Sequence, residues 1–227
     1  MERFYSGFHK QNGNVLLIIL VAVALIAALT IAIRGLNSQD ASISKEELAI
    51  RGTEVQRYMN EIEYAIREIL NNGYSEGDIR FAHSKADSSY GDLFGDSDKG
   101  DQVFHSSGGN ATYRDPPRDI NDGSGWEFYG HSALPSAGSD RADLIAVLPN
   151  ITESFCNAVN ASIGYMAQPS DTGTCLYGAP SDRFSDSTQF SSSPNTTVAT
   201  SFSVKPAMRG CVVCGTDRHY FYVLMAR

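Results

Sequence analysis

Between Val15 and Ile33 the chain runs through nineteen residues, VLLIILVAVALIAALTIAI, that only Thr30 interrupts with a polar side chain. As a helix this run is ~28 Å long, close to the ~30 Å hydrocarbon core of a bilayer. Arg3 and Lys10, set against Glu2, make the preceding leader weakly basic, whereas the whole chain carries a formal charge of −8. The positive-inside tendency places residues 1–13 in the cytoplasm and the acidic remainder across the membrane. A cleavable secretory signal is the competing reading, but its apolar region is normally ~7–15 residues long and closes on a small-x-small site. This run is longer, and no such site ends it.

A helix starts or restarts after the run. Ser44-Lys45-Glu46-Glu47 has the spacing of a capping box, with Ser44 as N-cap. Val55, Met59, Ile62, Ile66, Ile69 and Leu70 then recur at three- and four-residue spacing beside Tyr58 and Ala65, so one stripe faces a partner surface. Asn71-Asn72-Gly73 supplies the stop. If residues 34–43 stay helical, one rod of about 84 Å reaches from Val15 to Leu70. Beyond it, residues 74–142 are rich in Gly, Ser, Asp, Asn and Pro, with short strand candidates at Tyr90–Phe94, Gln102–His105 and Trp126–Tyr129. Leu144 to Leu148 is a continuous apolar run, the pattern of a buried strand. Asn150 or Thr152 caps a short helix through Ile163. Ser201–Val204, Gly210–Val213 and His219–Met225 are the final strands.

The segment Gly13-Asn14-Val15-Leu16-Leu17-Ile18-Ile19-Leu20, continuing through Ala22, Ala24, Ala27 and Ala28, resembles the start of type IV pilins and of the pseudopilins of type II secretion. The resemblance implies that a prepilin peptidase cuts between Gly13 and Asn14. It also implies that the apolar helix, with its small residues, then packs against other pilin-like subunits. The family's usual glutamate at the fifth mature position is replaced here by Ile18, so the carboxylate that would pair with a neighbour's amino terminus is absent. Val103-Phe104-His105-Ser106-Ser107-Gly108-Gly109 and Asp143-Leu144-Ile145-Ala146-Val147-Leu148-Pro149 are similar to segments of a looser group of bacterial pilin-like proteins.

Cys156, Cys175, Cys211 and Cys214 fall on the expected outer side of the membrane, where an even count implies disulfides. Pairing of Cys156 with Cys175 and of Cys211 with Cys214 is the first expectation, with crossed pairing open. Asp92, Asp96, Asp98 and Asp101 crowd one loop with oxygen ligands suited to calcium, but the EF-hand pattern is not met, and the expectation is a solvated acidic loop without a metal. No metal-binding HExxH helix, GxSxG elbow or phosphate loop appears, so neither an enzyme nor a cofactor is expected. The acidic balance and the lack of a basic, aromatic-rich block argue against nucleic-acid binding. The Asn-x-Ser/Thr triplets at Asn110, Asn150, Asn160 and Asn195 carry no weight if, as the pilin resemblance implies, the chain is bacterial.

The expected organisation is a leader (1–13), a transmembrane helix (14–34), an amphipathic helix (35–73) and an extracytoplasmic region (74–227) that forms one domain with the amphipathic helix. The fold class is α+β: one long N-terminal helix, half membrane-spanning and half amphipathic, packed on a small antiparallel sheet with long loops. The expected function is a pilin-like or pseudopilin-like structural subunit in a bacterial inner membrane, single-pass, with its C-terminal domain periplasmic or extracellular. The alternative is an unprocessed, membrane-anchored binding domain.

Overall fold

The hydroxyl of Ser44 fixes where the first long helix begins. In the computed structural model, which describes residues 18–26, 44–85, 90–165, 167–171, 175–176, 180–197 and 208–227, it accepts a hydrogen bond from the Glu47 backbone N–H at 3.1 Å. That bond satisfies one of the donors a helix N-terminus leaves open. Helix α1 follows as Lys45–Asn71 and closes where the Asn72 N–H donates to Glu68 O at 3.0 Å. Its stripe of Val55, Met59, Ile62, Ile66 and Ile69 is buried, and burial of each such side chain contributes about 1.5–3 kcal/mol.

Six strands form one sheet. They are β1 (Glu127–Ala133), β2 (Asp143–Leu148), β3 (Ser170–Asp171), β4 (Asn195–Thr196), β5 (Arg209–Cys214) and β6 (Asp217–Met225), ordered β3-β5-β6-β2-β1-β4. The four central strands pair antiparallel, and the two-residue edges β3 and β4 pair parallel. Helix α2 (Glu153–Ser162) follows β2, with the Thr152 hydroxyl accepting from the Phe155 N–H.

Strand β2 is buried throughout because both faces of the sheet are covered. Leu144, Ala146 and Leu148 join the α1 stripe, Phe128, Phe155, Tyr220 and Leu224 in one apolar cluster. Ile145 and Val147 join Tyr129, Leu176, Val212, Phe221 and Val223 in a second. Tyr222 ties sheet to helix, its hydroxyl lying 3.0 Å from both Asn60 Oδ1 and Glu63 Oε2. The 103–109 loop presses onto α1 through Gly109, where an added Cβ would lie 2.7 Å from Ala65 Cβ and 2.9 Å from Val103 O.

The structure corrects the fold class expected from sequence. Two compact units are present, Met1–Ser42 and Ile43–Arg227. In the first, residues 18–26 are helical, about 13.5 Å of helix. No long N-terminal helix with a membrane-spanning half occurs among the described residues, and the sheet is six-stranded and mixed rather than small and antiparallel. The single-pass inner-membrane location is corrected with it, because no described helix is both long and apolar enough to cross a membrane. Helix α1 has the length but carries charged residues from Lys45 and Glu46 through Arg67 and Glu68. Of the predicted short strands, Tyr90–Phe94 forms none, Gln102 makes only an isolated bridge to Arg80, and Ser201–Val204 lies outside the described residues.

The cysteine pairing is also corrected, to Cys156–Cys211 and Cys175–Cys214. Cys211 and Cys214 are three apart on β5, and on a strand residues three apart point to opposite faces. Cys211 therefore meets Cys156 of α2 in the first cluster, and Cys214 packs with Cys175 at the second. The closed segments, with sequence separations of 55 and 39, are each worth about 4 kcal/mol in the chain-entropy description.

Candidate functional site

The residues offered by sequence as chemical sites do not converge. Asp92 accepts from the N–H groups of Phe94 and Gly95 at 3.0 and 2.9 Å, and Asp98 accepts from Gly100 N–H and Tyr74 O–H, both at 2.9 Å. Asp96 accepts from Gln102 Nε2 at 2.7 Å. Asp92 and Asp98 each close their own turn, and their hydrogen bonds hold both below the usual carboxylate range. Burial instead lifts Asp101 to about 6, against the pull of Arg80. Among the described residues no three His, Cys, Asp or Glu side chains gather to hold a metal ion.

The histidines are equally dispersed. His83 stacks on Tyr113 with ring centroids 3.6 Å apart, and His105 Nδ1 accepts from Ser107 N–H at 3.1 Å. His219 lies on β6, where burial lowers its pKa. Tyr58, Tyr90 and Tyr220 are buried phenols with pKa values raised mainly by desolvation, which keeps them neutral. Glu127 takes both the Tyr90 O–H at 2.7 Å and the Arg183 guanidinium, and Arg80 pairs with Asp186. The Glu127 contacts fasten loops to β1, and Arg80–Asp186 ties two loops together. None of these pairs lines the groove between α1 and α2.

Two surface features remain. In the first unit every side chain from 18 to 26 is exposed, and Ile18, Ile19, Leu20, Val21, Val23, Leu25 and Ile26 retain between 48% and 66% of their accessible area. Such a concentration of exposed apolar surface marks an interaction site. The expected assembly residues Ile18, Ile19, Leu20, Ala22 and Ala24 are in this stretch, whereas Gly13, Asn14, Val15, Leu16, Leu17, Ala27 and Ala28 lie outside the described residues.

In the second unit a groove of about 790 Å³ opens between the N-terminal half of α1 and helix α2. Leu48, Val159 and Tyr220 lie deepest. The walls are Ala49, Gly52 and Thr53 on α1 and Ala158, Ala161 and Ser162 on α2, with Lys45, Gln56, Asn157 and Arg209 also lining it. Sequence reading missed this site because its residues fall outside the large-apolar stripe. Its one sequence signal is the recurrence of small residues at 49, 52 and 53 and at 158, 161 and 162.

No protein-family profile, no curated protein and no solved structure matches the chain.

Proposed function

We propose that the chain is a pilin-like structural subunit, which assembles with further copies of itself or with related subunits through its apolar N-terminal helix. The observation that carries this reading is the run of seven large aliphatic side chains, all exposed, within the nine helical residues 18–26. That surface has no charged group and needs a partner. Ala22 and Ala24 would permit close helix approach. The disulfide-stapled second unit would then be the displayed head. On this reading a prepilin peptidase removes residues 1–13.

The four native cysteines are all paired, so Val23→Cys introduces the single free thiol. Expression of the full chain in a host with a prepilin peptidase is expected to give an intact mass lacking residues 1–13 and oxidation-dependent dimers through position 23. Leu20→Asp should abolish those dimers. An uncut, monomeric chain whose introduced thiol stays open to maleimide would overturn the proposal.

A further inference from the structure

We propose that the groove between α1 and α2 binds a single-chain anionic amphiphile, a fatty carboxylate, with the alkyl chain along the small-residue walls and the head group on Lys45 and Arg209. This binding site goes beyond subunit assembly and uses none of the residues assigned to it.

Three observations select that ligand. The volume, about 790 Å³, falls within the ~300–1,000 Å³ of typical small-molecule sites. Along α1 the groove extends from Lys45 to Gln56, about 16 Å at the helical rise, so it is a trough suited to an extended chain. The second observation concerns the walls. They are mainly the sides of two helices, whose backbone donors and acceptors between the end turns are spent within the helices. An extended peptide laid there would lose the hydration of its own amide groups and meet no free strand edge along Ala49, Gly52, Ala158 and Ala161, only scattered side chains such as Thr53 and Asn157. An alkyl chain has no such groups and gains from every methylene it buries, about 0.8 kcal/mol each.

The third observation is charge. The protein carries a net −8, yet among the described residues the only charged ones lining this groove are Lys45 and Arg209, both cations. Neither is held in an ion pair among the described residues, although most other arginines of the second unit are. Two uncommitted cations beside an apolar trough complement an anionic head and oppose a cationic one.

Gly52 provides a selective test. It lies on the groove wall, and a Cβ added there would meet nothing within 4 Å, so a larger side chain enters the groove without disturbing the packing beneath it. Replacing a mid-helix glycine with leucine also favours the helix. Full-length protein is photolabelled with a diazirine-bearing laurate, and the adducts are mapped by mass spectrometry. The expected result is adducts on groove residues such as Ala49, Ala158 and Ala161, reduced at least tenfold by Gly52→Leu without a lower melting temperature. Combined Lys45→Gln and Arg209→Gln should reduce them at least about threefold, and the uncharged alcohol of the same chain length should label the groove weakly by a similar factor. Absence of groove adducts, groove labelling unchanged by Gly52→Leu, or equal labelling by the alcohol would each overturn the proposal.

Discussion

Asn160 holds together a part of the fold that no strand among the described residues reaches. It is 1% exposed, its Nδ2 donates to Cys211 O at 3.0 Å, and its Oδ1 accepts from Cys211 N–H at 2.9 Å. Strand β3 reaches β5 only at Val213 and Cys214, so the side-chain amide acts as a one-residue strand for the backbone of Cys211. Asn160→Ala removes two hydrogen bonds worth about 0.5–1.5 kcal/mol each and strands a buried N–H and C=O, whose unmet desolvation adds about 1–3 kcal/mol. Partial access of water to the vacated space offsets some of this, so a loss of about 3 kcal/mol is expected. The Cys156–Cys211 bond persists in the variant, which isolates the polar contribution from chain connectivity. In equilibrium urea unfolding with a slope of about 2 kcal/mol/M, the midpoint should fall by about 1.5 M. Asn160→Asp keeps the shape and the acceptor but puts a carboxylate against the Cys211 carbonyl. It should be at least as damaging at pH 7 and recover partly in acid, as protonation restores a donor. A midpoint shift below about 0.5 M for the alanine variant would refute the reasoning, because the Cys211 backbone would then be satisfied without Asn160.

Two further perturbations separate fit from exposure and charge from burial. Gly109→Ala forces a methyl against Ala65 and the Val103 carbonyl and should cost about 1–3 kcal/mol, whereas Gly52→Ala, with nothing within 4 Å, should stabilise by about 1 kcal/mol. Thermal unfolding of both checks the opposite signs. The Asp101 carboxyl is raised from 3.8 to about 6 by burial, so between those values the folded state binds more protons than the unfolded one and stability falls as pH rises. Asp101→Asn should therefore raise the urea midpoint at pH 7 and leave it nearly unchanged at pH 3.5; equal shifts at both would exclude a charge effect.

The α1 stripe from Val55 to Ile69 and the β2 run were legible because each follows one rule of local geometry. A helix that buries one side repeats every three to four residues, and a strand buried on both sides has no polar positions at all. Ser44 and Thr152 were legible for the same reason, since a cap acts only on its own first turn. The disulfides were not, although the strand that places them was foreseen. Read as a string, Cys211 and Cys214 are neighbours; on a pleated strand they belong to different faces, and each pairs with a distant cysteine on its own side. Asn160 was legible only as a glycosylation triplet, because its role depends on β5 lying 51 residues away. The apolar N-terminal run suggested a span by composition alone, whereas no helix among the described residues is long and apolar enough to cross a membrane.

The groove has its origin in an asymmetry along α1 itself. From Val55 onward a large apolar side chain enters the core at each turn, while between Lys45 and Glu54 only Leu48 does, and Ala49, Gly52 and Thr53 flank it. Small side chains cannot fill the space between two helices held apart by their packing on a common sheet, so a trough remains where the stripe thins. Stability and accessibility are thereby assigned to different halves of one helix. The C-terminal half carries the packing that large-to-small substitution would disrupt, whereas the N-terminal half tolerates added volume, as the open space around Gly52 shows. A helix built only to stabilise the fold would extend its large apolar positions into that space and close it. Ala49 and Gly52 leave it open, and an open apolar trough bordered by the cations Lys45 and Arg209 is a surface arranged for a ligand.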